Sequence, residues 1–132
     1  AERVKIEVGA AMTEIENPPP DFAVQGRDLM SGIPKEVYIS YVEIAHCLDK
    51  SISKIEEAIL NALEMTPPEL AADIYRKGIF MAGGGSLLRG LDKRISLKTK
   101  LPVHVCEDPL RAVARGTGIA LKNVHKFPFL IK

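Results

Sequence analysis

The sequence predicts an α/β fold, and three observations support that class. Short strands and helices alternate in the second half of the chain, at residues 79–82, 86–98, 103–106 and 109–123. Such alternation is typical of parallel strands joined by right-handed crossovers. Three glycines separate the first of these strands from its helix, and 46% apolar residues are enough to build an ordinary core.

The first half of the chain is predicted to be a helix followed by strands and irregular loops. Residues 1–9 form a helical pattern that ends at Gly9 and has no capping residue before it, so we expect the chain to begin inside an element. Extended runs follow at 12–16, 22–25 and 37–40. Pro18-Pro19-Pro20 interrupts them, and it is either a stiff connection or a ligand for an SH3-type domain.

Helix start signals occur at three places. Ser40 and Glu43 form a capping box that predicts a long helix, with Glu56 among the charged residues mostly on its outer side. Thr66 is predicted to cap a second helix that ends at Gly78, and Asp108 to cap a last helix whose first residue is Pro109. The predicted core face of the long helix is Ala45, Leu48, Ile52, Ile55, Ile59 and Leu63.

Composition excludes several classes of function. A formal net charge of +1 gives no electrostatic reason to expect nucleic acid or an anionic membrane surface as a partner. No apolar run reaches the ~20 residues of a transmembrane segment. The histidines lack metal-ligand spacing, so we expect no metal site. Cys47 and Cys106 are predicted to be buried, reduced thiols, as in a cytosolic protein.

The glycines at 83–85 are the strongest candidate for a ligand site. They lie at the carboxyl end of a strand, where open α/β sheets bind ligands, and they let a flat ring or a phosphate approach the backbone. No Lys-Ser or Lys-Thr follows, so the segment is not a P-loop, and Leu88 breaks the Rossmann pattern. On the residues alone, ligand contact and a simple tight turn both stay open.

The longer segment 79–92, Ile-Phe-Met-Ala-Gly-Gly-Gly-Ser-Leu-Leu-Arg-Gly-Leu-Asp, resembles the adenosine-binding segment of the MreB family of bacterial actin-like proteins. The likeness covers essentially the whole chain, including 66–71 and Phe127-Pro128-Phe129, and is weakest at 16–37. It implies a fragment of the actin-like (ribonuclease H-like) ATPase fold, covering most of the second lobe plus the C-terminal connecting helix. The implied parts are a small α/β subdomain at 1–63, the core of a larger subdomain at 64–108, and a connecting helix with its tail at 109–132.

The resemblance also assigns site residues. It implies that Gly83, Gly84, Gly85 and Ser86 contact adenosine. Glu2 and Lys5 would reach the nucleoside from the opposite face, with Glu2 accepting from ribose hydroxyls and Lys5 lying along the adenine. On the residues alone, these two side chains are only a surface pair three positions apart.

Segment 107–118 resembles the connection between the two lobes of this superfamily. The implied hinge residues are Asp108, Pro109, Ala112 and Gly116. Ala112, Gly116 and Ala120 repeat every fourth residue and leave one helix face poor in side chains. Such a face suits either a hinge between lobes or a tight helix contact without motion.

The function that the resemblance implies is the C-terminal half of a protein that binds ATP with magnesium and polymerises into filaments governing rod shape and cell-wall synthesis. Its partners would be other copies of itself and inner-membrane cell-shape and wall-synthesis proteins, at the cytoplasmic face of that membrane. The family's phosphate- and magnesium-binding segments are not in this sequence. We therefore expect no catalytic residue, no tightly bound cofactor and no ATPase activity from this chain alone. The alternatives are a chaperone or sugar kinase of the same superfamily, or a stand-alone nucleotide-sensing module.

Overall fold

The computed structural model describes residues 2–126 and shows a mixed arrangement of helices and two small sheets. Helix α1 is followed by an antiparallel hairpin, two helices, and a parallel pair of strands that flank a short helix. The elements are α1 (Glu2–Val8), β1 (Phe22–Arg27), β2 (Pro34–Ile39), α2 (Tyr41–Glu64), α3 (Pro68–Lys77), β3 (Ile79–Met81), α4 (Leu91–Thr99), β4 (Val103–Val105) and α5 (Ala112–Lys122). The predictions for the tail after residue 126, including Phe127 and Phe129, lie outside the described residues.

The hairpin confirms two of the three strands predicted in the first half. Strands β1 and β2 pair in antiparallel register, with Phe22 opposite Ile39. The strand predicted at 12–16 is wrong. This part of the chain makes a single-residue bridge, between Ala10 and Arg89, and then continues as an irregular loop. An extended run becomes a strand only where a neighbour supplies a ladder of hydrogen bonds.

Helix α2 begins with the predicted capping box. The Glu43 N–H donates to the Ser40 hydroxyl, and the Glu43 carboxylate accepts from the Ser40 N–H at 2.9 Å. Hydrogen bonds from the Ser40 backbone and then from its hydroxyl lower the pKa of Glu43. On the predicted core face of α2, Ala45 and Ile52 are buried. Ile55 was also predicted to lie on this face, but it is 48% exposed, so that part of the prediction is wrong.

Two other local predictions for this region are wrong. Thr66 does not cap helix α3, because its hydroxyl donates back to the Ala62 carbonyl at the end of α2. Cys47 is exposed on α2 rather than buried, and Cys106 is half-buried.

Gly78 ends helix α3 as predicted. Its φ of 76° is left-handed, and its N–H donates to the Ile74 carbonyl at 2.7 Å. A Cβ at this position would lie 2.3 Å from the Pro102 carbonyl oxygen. Glycine therefore allows α3 to stop and strand β3 to start directly against the segment that leads into β4.

Strands β3 and β4 pair in parallel, as predicted, with Ile79 opposite Val103 and Met81 opposite Val105. One face of this pair packs on the core. The buried core residues are Ala11, Ile52, Leu91 and Ile95, with Ile79, Met81 and Val103 against them. On the other face, Phe80 is 66% exposed and its ring lies 5.1 Å from that of His104.

The single helix predicted at 86–98 is divided in two. A 3-10 turn covers Gly84–Leu87, Leu88 is extended, and α4 starts only at Leu91. The break allows the Arg89 carbonyl to accept the Ala11 N–H at 2.8 Å. Pairing with a distant segment therefore overrides the helical pattern at 88–90.

An ion cluster around the buried carboxylate of Glu56 joins α2, α4 and the segment after α1. Arg94 Nε lies 2.6 Å from Glu56 Oε1, and Arg94 Nη1 lies 2.8 Å from Asp49 Oδ1 and donates to the Ala11 carbonyl at 3.0 Å. Glu56 was expected mostly on the solvent side of α2, but it is buried. Its carboxylate, followed by that of Asp49, raises the pKa of Arg94 against the opposing effect of burial.

Replacing Arg94 by leucine should lower the free energy of unfolding by about 3–5 kcal/mol, because it leaves the Glu56 carboxylate buried without its cation. The measurement is urea unfolding followed by circular dichroism. Arg76→Leu is the matched control, since Arg76 pairs with Asp73 on the exposed surface of α3, where a pair contributes about 0–1 kcal/mol. Equal losses for the two variants would contradict a structural role for the ion cluster.

Candidate functional site

The glycine segment forms a tight turn at the carboxyl end of β3. Gly83 has φ 85° and ψ 171°, a conformation open almost only to glycine, and its N–H donates to the Pro109 carbonyl at 2.7 Å. Ser86 is buried, and its hydroxyl donates to the Gly83 carbonyl at 2.7 Å. Ser86 therefore closes the turn from inside.

The outer side of this turn is bare backbone. A Cβ built on Gly83 or Gly85 would meet no other atom within 4 Å, and one on Gly84 would meet only Leu110 Cδ2, at 3.4 Å. The space beside the glycines is therefore not required for packing within the described chain. A flat ring could lie against the backbone there, in volume that side chains would otherwise fill.

Glu2 and Lys5 lie on one face of α1, as predicted. Lys5 Nζ and Glu2 Oε1 are 3.0 Å apart, and both side chains are largely exposed. That these groups face the same cleft as the glycine turn stays a prediction. The structure brings α1 to the glycine region through a different residue.

That residue is Arg89, which the sequence analysis did not single out. Arg89 Nη1 donates to the Glu7 carbonyl at 3.0 Å, and it lies 3.4 Å from the Ile6 carbonyl oxygen and 3.5 Å from that of Gly9. Its guanidinium thus holds the carboxyl end of α1 just after the glycine turn. Sequence offers no signal for this contact, because about 80 residues separate the partners.

One of the predicted hinge residues, Pro109, and its neighbour Leu110 lie against the turn. Pro109 is buried and accepts the Gly83 N–H, while its neighbour Leu110 lies nearest to Gly84. The predicted start of the last helix is wrong: α5 begins at Ala112, and no side chain caps it. The Pro109 carbonyl is already committed to Gly83, and the Arg111 N–H bonds the Asp108 carbonyl in a turn that precedes the helix.

The hinge role itself stays a prediction. Gly116 is exposed on α5, and a Cβ there would meet no atom within 4 Å. No residue of α5 is buried in the part of the chain that the structure describes. The small-residue face of α5 is therefore open at Gly116 and half-buried at Ala112 and Ala120, and it is compatible with either a hinge or a helix contact with another part of the protein.

A cavity of about 300 Å³ lies elsewhere, between the loop after α1 and helix α4. Its lining includes Ile15, Glu16 and Lys93, and Lys93 forms an ion pair with Glu16. The glycine turn does not line it. Within residues 2–126, no helix is both long and apolar enough to cross a bilayer, and no group of three or more His, Cys, Asp or Glu residues is placed to hold a metal ion.

Comparison with known families decides among the alternatives left open by the sequence. The family model described as MreB/Mbl protein matches residues 1–128. The chain belongs to the MreB/Mbl family. A chaperone, a sugar kinase and an unrelated nucleotide sensor are thereby set aside.

Curated relatives in this family carry cell-shape names. The chain is 39% identical over 128 residues to the cell shape-determining protein Mbl of Bacillus subtilis, covering 97% of this chain and 38% of Mbl. It is 43% identical over 129 residues to the cell shape-determining protein MreB of Escherichia coli, covering 94% of this chain and 35% of MreB. The chain thus spans less than two fifths of the length of these MreB/Mbl relatives.

A solved structure confirms the fold class. The ADP-bound crystal structure of MreB5 from Spiroplasma citri superimposes with a TM-score of 0.85 at 39% identity, covering 99% of this chain and 39% of MreB5. The described residues are therefore part of the actin-like fold. The MreB/Mbl membership and this superposition rest on the whole chain, not on the glycine motif alone.

The left-handed backbone at Gly83 predicts that a side chain at this position lowers stability. Gly83→Ala should lower the free energy of unfolding by about 1–3 kcal/mol, because alanine is strained at this φ and ψ. Gly85→Ala is the control, since its Cβ falls in open space at an ordinary φ, and its effect should stay within about 0.5 kcal/mol. Thermal unfolding of both variants tests this, and an unaffected Gly83→Ala protein would disprove the turn geometry.

Proposed function

We propose that the protein containing this chain binds ATP with magnesium and polymerises into filaments that govern rod cell shape. This chain contributes the adenosine side of the nucleotide site and part of the contact between successive subunits. The observation that carries the proposal is the bare glycine turn at the end of β3, in a chain of the MreB/Mbl family. The ADP-bound state of the relative MreB5 supports the choice of ligand.

The residues present fit an adenosine. Backbone at Gly83 and Gly85 is open to a ring from one side, and Glu2 offers a carboxylate that can accept from ribose hydroxyls. Lys5 has an apolar stem long enough to lie along a purine. The ion pair between Glu2 and Lys5 is exposed, so exchanging it for ligand contacts costs little.

We assign no catalytic residue to this chain. When bound, ATP would supply the phosphoanhydride bond that the intact protein would hydrolyse. Phosphoryl transfer depends on groups that position the phosphate and the magnesium ion. The residues proposed here bind and orient the nucleoside. Their effect on activity is through binding.

The tip of the hairpin supports the filament part of the proposal. Leu29 and Met30 are 99% and 98% exposed there. The tip is nevertheless ordered, because the Asp28 carboxylate accepts the Met30 and Ser31 N–H groups at 2.8 and 3.0 Å. These two hydrogen bonds also lower the pKa of Asp28, and the bond from the Ser31 N–H has the larger effect.

Two neighbouring apolar side chains that are almost fully exposed on a hydrogen-bonded turn suit a contact with another protein surface. We assign that contact to the next copy in a filament. Filaments of this kind would lie at the cytoplasmic face of the inner membrane and meet cell-shape and wall-synthesis proteins there, as the resemblance implies.

Gly85→Val in the full-length protein should weaken ATP binding by about tenfold or more, because the branched side chain occupies the space assigned to the nucleoside. Titration with a fluorescent ATP analogue gives the dissociation constant. Gly26→Val is the matched control, since Gly26 is equally open but lies in strand β1 of the hairpin. Unchanged affinity in Gly85→Val would exclude this turn from the site.

Replacing both Leu29 and Met30 by serine should raise the critical concentration for polymerisation by about thirtyfold or more without changing ATP affinity. The two lost apolar contacts, at about 1–2 kcal/mol each, sum to about 2–4 kcal/mol. Sedimentation of filaments over a protein concentration series measures the critical concentration. Met65→Ser, at the end of α2, removes another exposed apolar side chain and serves as control. A critical concentration equal to that of the control would place the contact elsewhere.

A further inference from the structure

Arg89 connects two parts of the molecule that the proposed nucleotide site needs together. Its side chain holds the carboxyl end of α1 through the carbonyls of Ile6, Glu7 and Gly9. Its own carbonyl accepts the Ala11 N–H, and Ala10 and Arg89 form a parallel bridge. The side chain of Arg89 therefore bonds the end of α1, and its backbone bonds the segment that directly follows this helix.

The chemistry of this contact suits arginine. The last carbonyls of a helix have no partners within the helix and carry partial negative charge, so a cation placed there is stabilising. A guanidinium can address several carbonyls from one rigid fork, whereas the single ammonium of lysine is a point donor. Leu88 packs beside it: a Cβ added at Gly9 would lie 3.0 Å from Leu88 Cδ1.

Arg89 lies close in the chain to the glycine turn, so its contact with α1 bears on the proposed nucleoside site. Arg89 follows Ser86, which closes the glycine turn, by only three residues. Glu2 lies at the other end of α1, about 8 Å along the axis from Glu7 at 1.5 Å per residue. Arg89 therefore links the helix that carries Glu2 and Lys5 to the segment that follows the glycine turn.

We propose that Arg89 is a positioning residue of the nucleoside site, which holds α1 and its two polar side chains at a set distance from the glycine turn. The inference rests on the proposed function. Arg89 does not touch the nucleoside. It acts by pre-organising groups that do, so that less ordering is needed when the ligand binds.

The remaining contacts of α1 are modest. Val8 is the one buried residue of this helix, and Arg3 lies over the Phe22 ring at 5.7 Å. Without the guanidinium, the backbone bonds of Arg89 still hold Ala10 and Ala11, but the last carbonyls of α1 lose their cation, while the core beneath α2 and α4 keeps its contacts. Loss of Arg89 should therefore affect ligand affinity more than stability.

The test compares Arg89→Leu and Arg89→Lys in the full-length protein, using titration with a fluorescent ATP analogue and thermal unfolding. Arg89→Leu should weaken ATP binding about tenfold, and Arg89→Lys should recover only part of that loss. Ile95→Val lowers stability from within the core without touching α1. Arg76→Leu removes an arginine from the surface. Both controls should bind ATP normally.

A double-mutant cycle with Glu2→Ala separates positioning from general damage. If Arg89 acts by placing Glu2, the variant with both changes should bind ATP no more weakly than the worse single variant. Additive losses, or an affinity for Arg89→Leu equal to that of Ile95→Val, would overturn the positioning role. Normal affinity in both Gly85→Val and Glu2→Ala would instead overturn the proposed nucleoside site, on which the inference depends.

Discussion

The arrangement of this chain depends on the half-buried guanidinium of Arg94. It bonds Glu56 and Asp49 of α2 and the carbonyl of Ala11, so that three segments distant in sequence meet at one side chain. The hydrophobic core beside it contains few fully buried side chains, and such a core leaves helix packing weakly specified. A directional ion cluster supplies the missing specificity, since its donors and acceptors fit in one geometry.

Ala11 shows how this cluster reaches the candidate site. Its carbonyl accepts from Arg94, and its N–H donates to the Arg89 carbonyl. The backbone of one small buried residue thus joins the helix pair α2 and α4 to the segment that follows the glycine turn. Alanine suits the position because its side chain is almost completely buried and a larger one would need new space.

Local signals in the sequence predicted local structure well. The capping box at Ser40, the helix stop at Gly78 and the parallel strands are set by residues close together in the chain, so their patterns are visible without a structure. Two of the failures share a different cause. The helix break at 88–90 follows pairing with Ala10 and Ala11, and the late start of α5 follows the bond from Gly83 to Pro109. Such partners are chosen by the tertiary fold, which local propensity cannot predict.

The same division applies to the site. The glycine turn was predictable because a glycine run after a strand has a local meaning, whereas Arg89 and Pro109 contact partners far along the chain. The assignment of these residues to a nucleoside site stays a prediction. Helix α2 has 24 residues, begins directly after the hairpin and carries Asp49 and Glu56 in its middle. Both carboxylates bond Arg94, and Arg94 is joined to Arg89 through the backbone of Ala11. A rigid connection transmits a change only if one end has two discrete states. In the proposed site the Glu2 and Lys5 pair would offer such a choice, since Glu2 binds Lys5 here and would accept from a ribose when a nucleoside is present. Under our proposal for Arg89, the position of α1 affects how readily Glu2 exchanges one partner for the other.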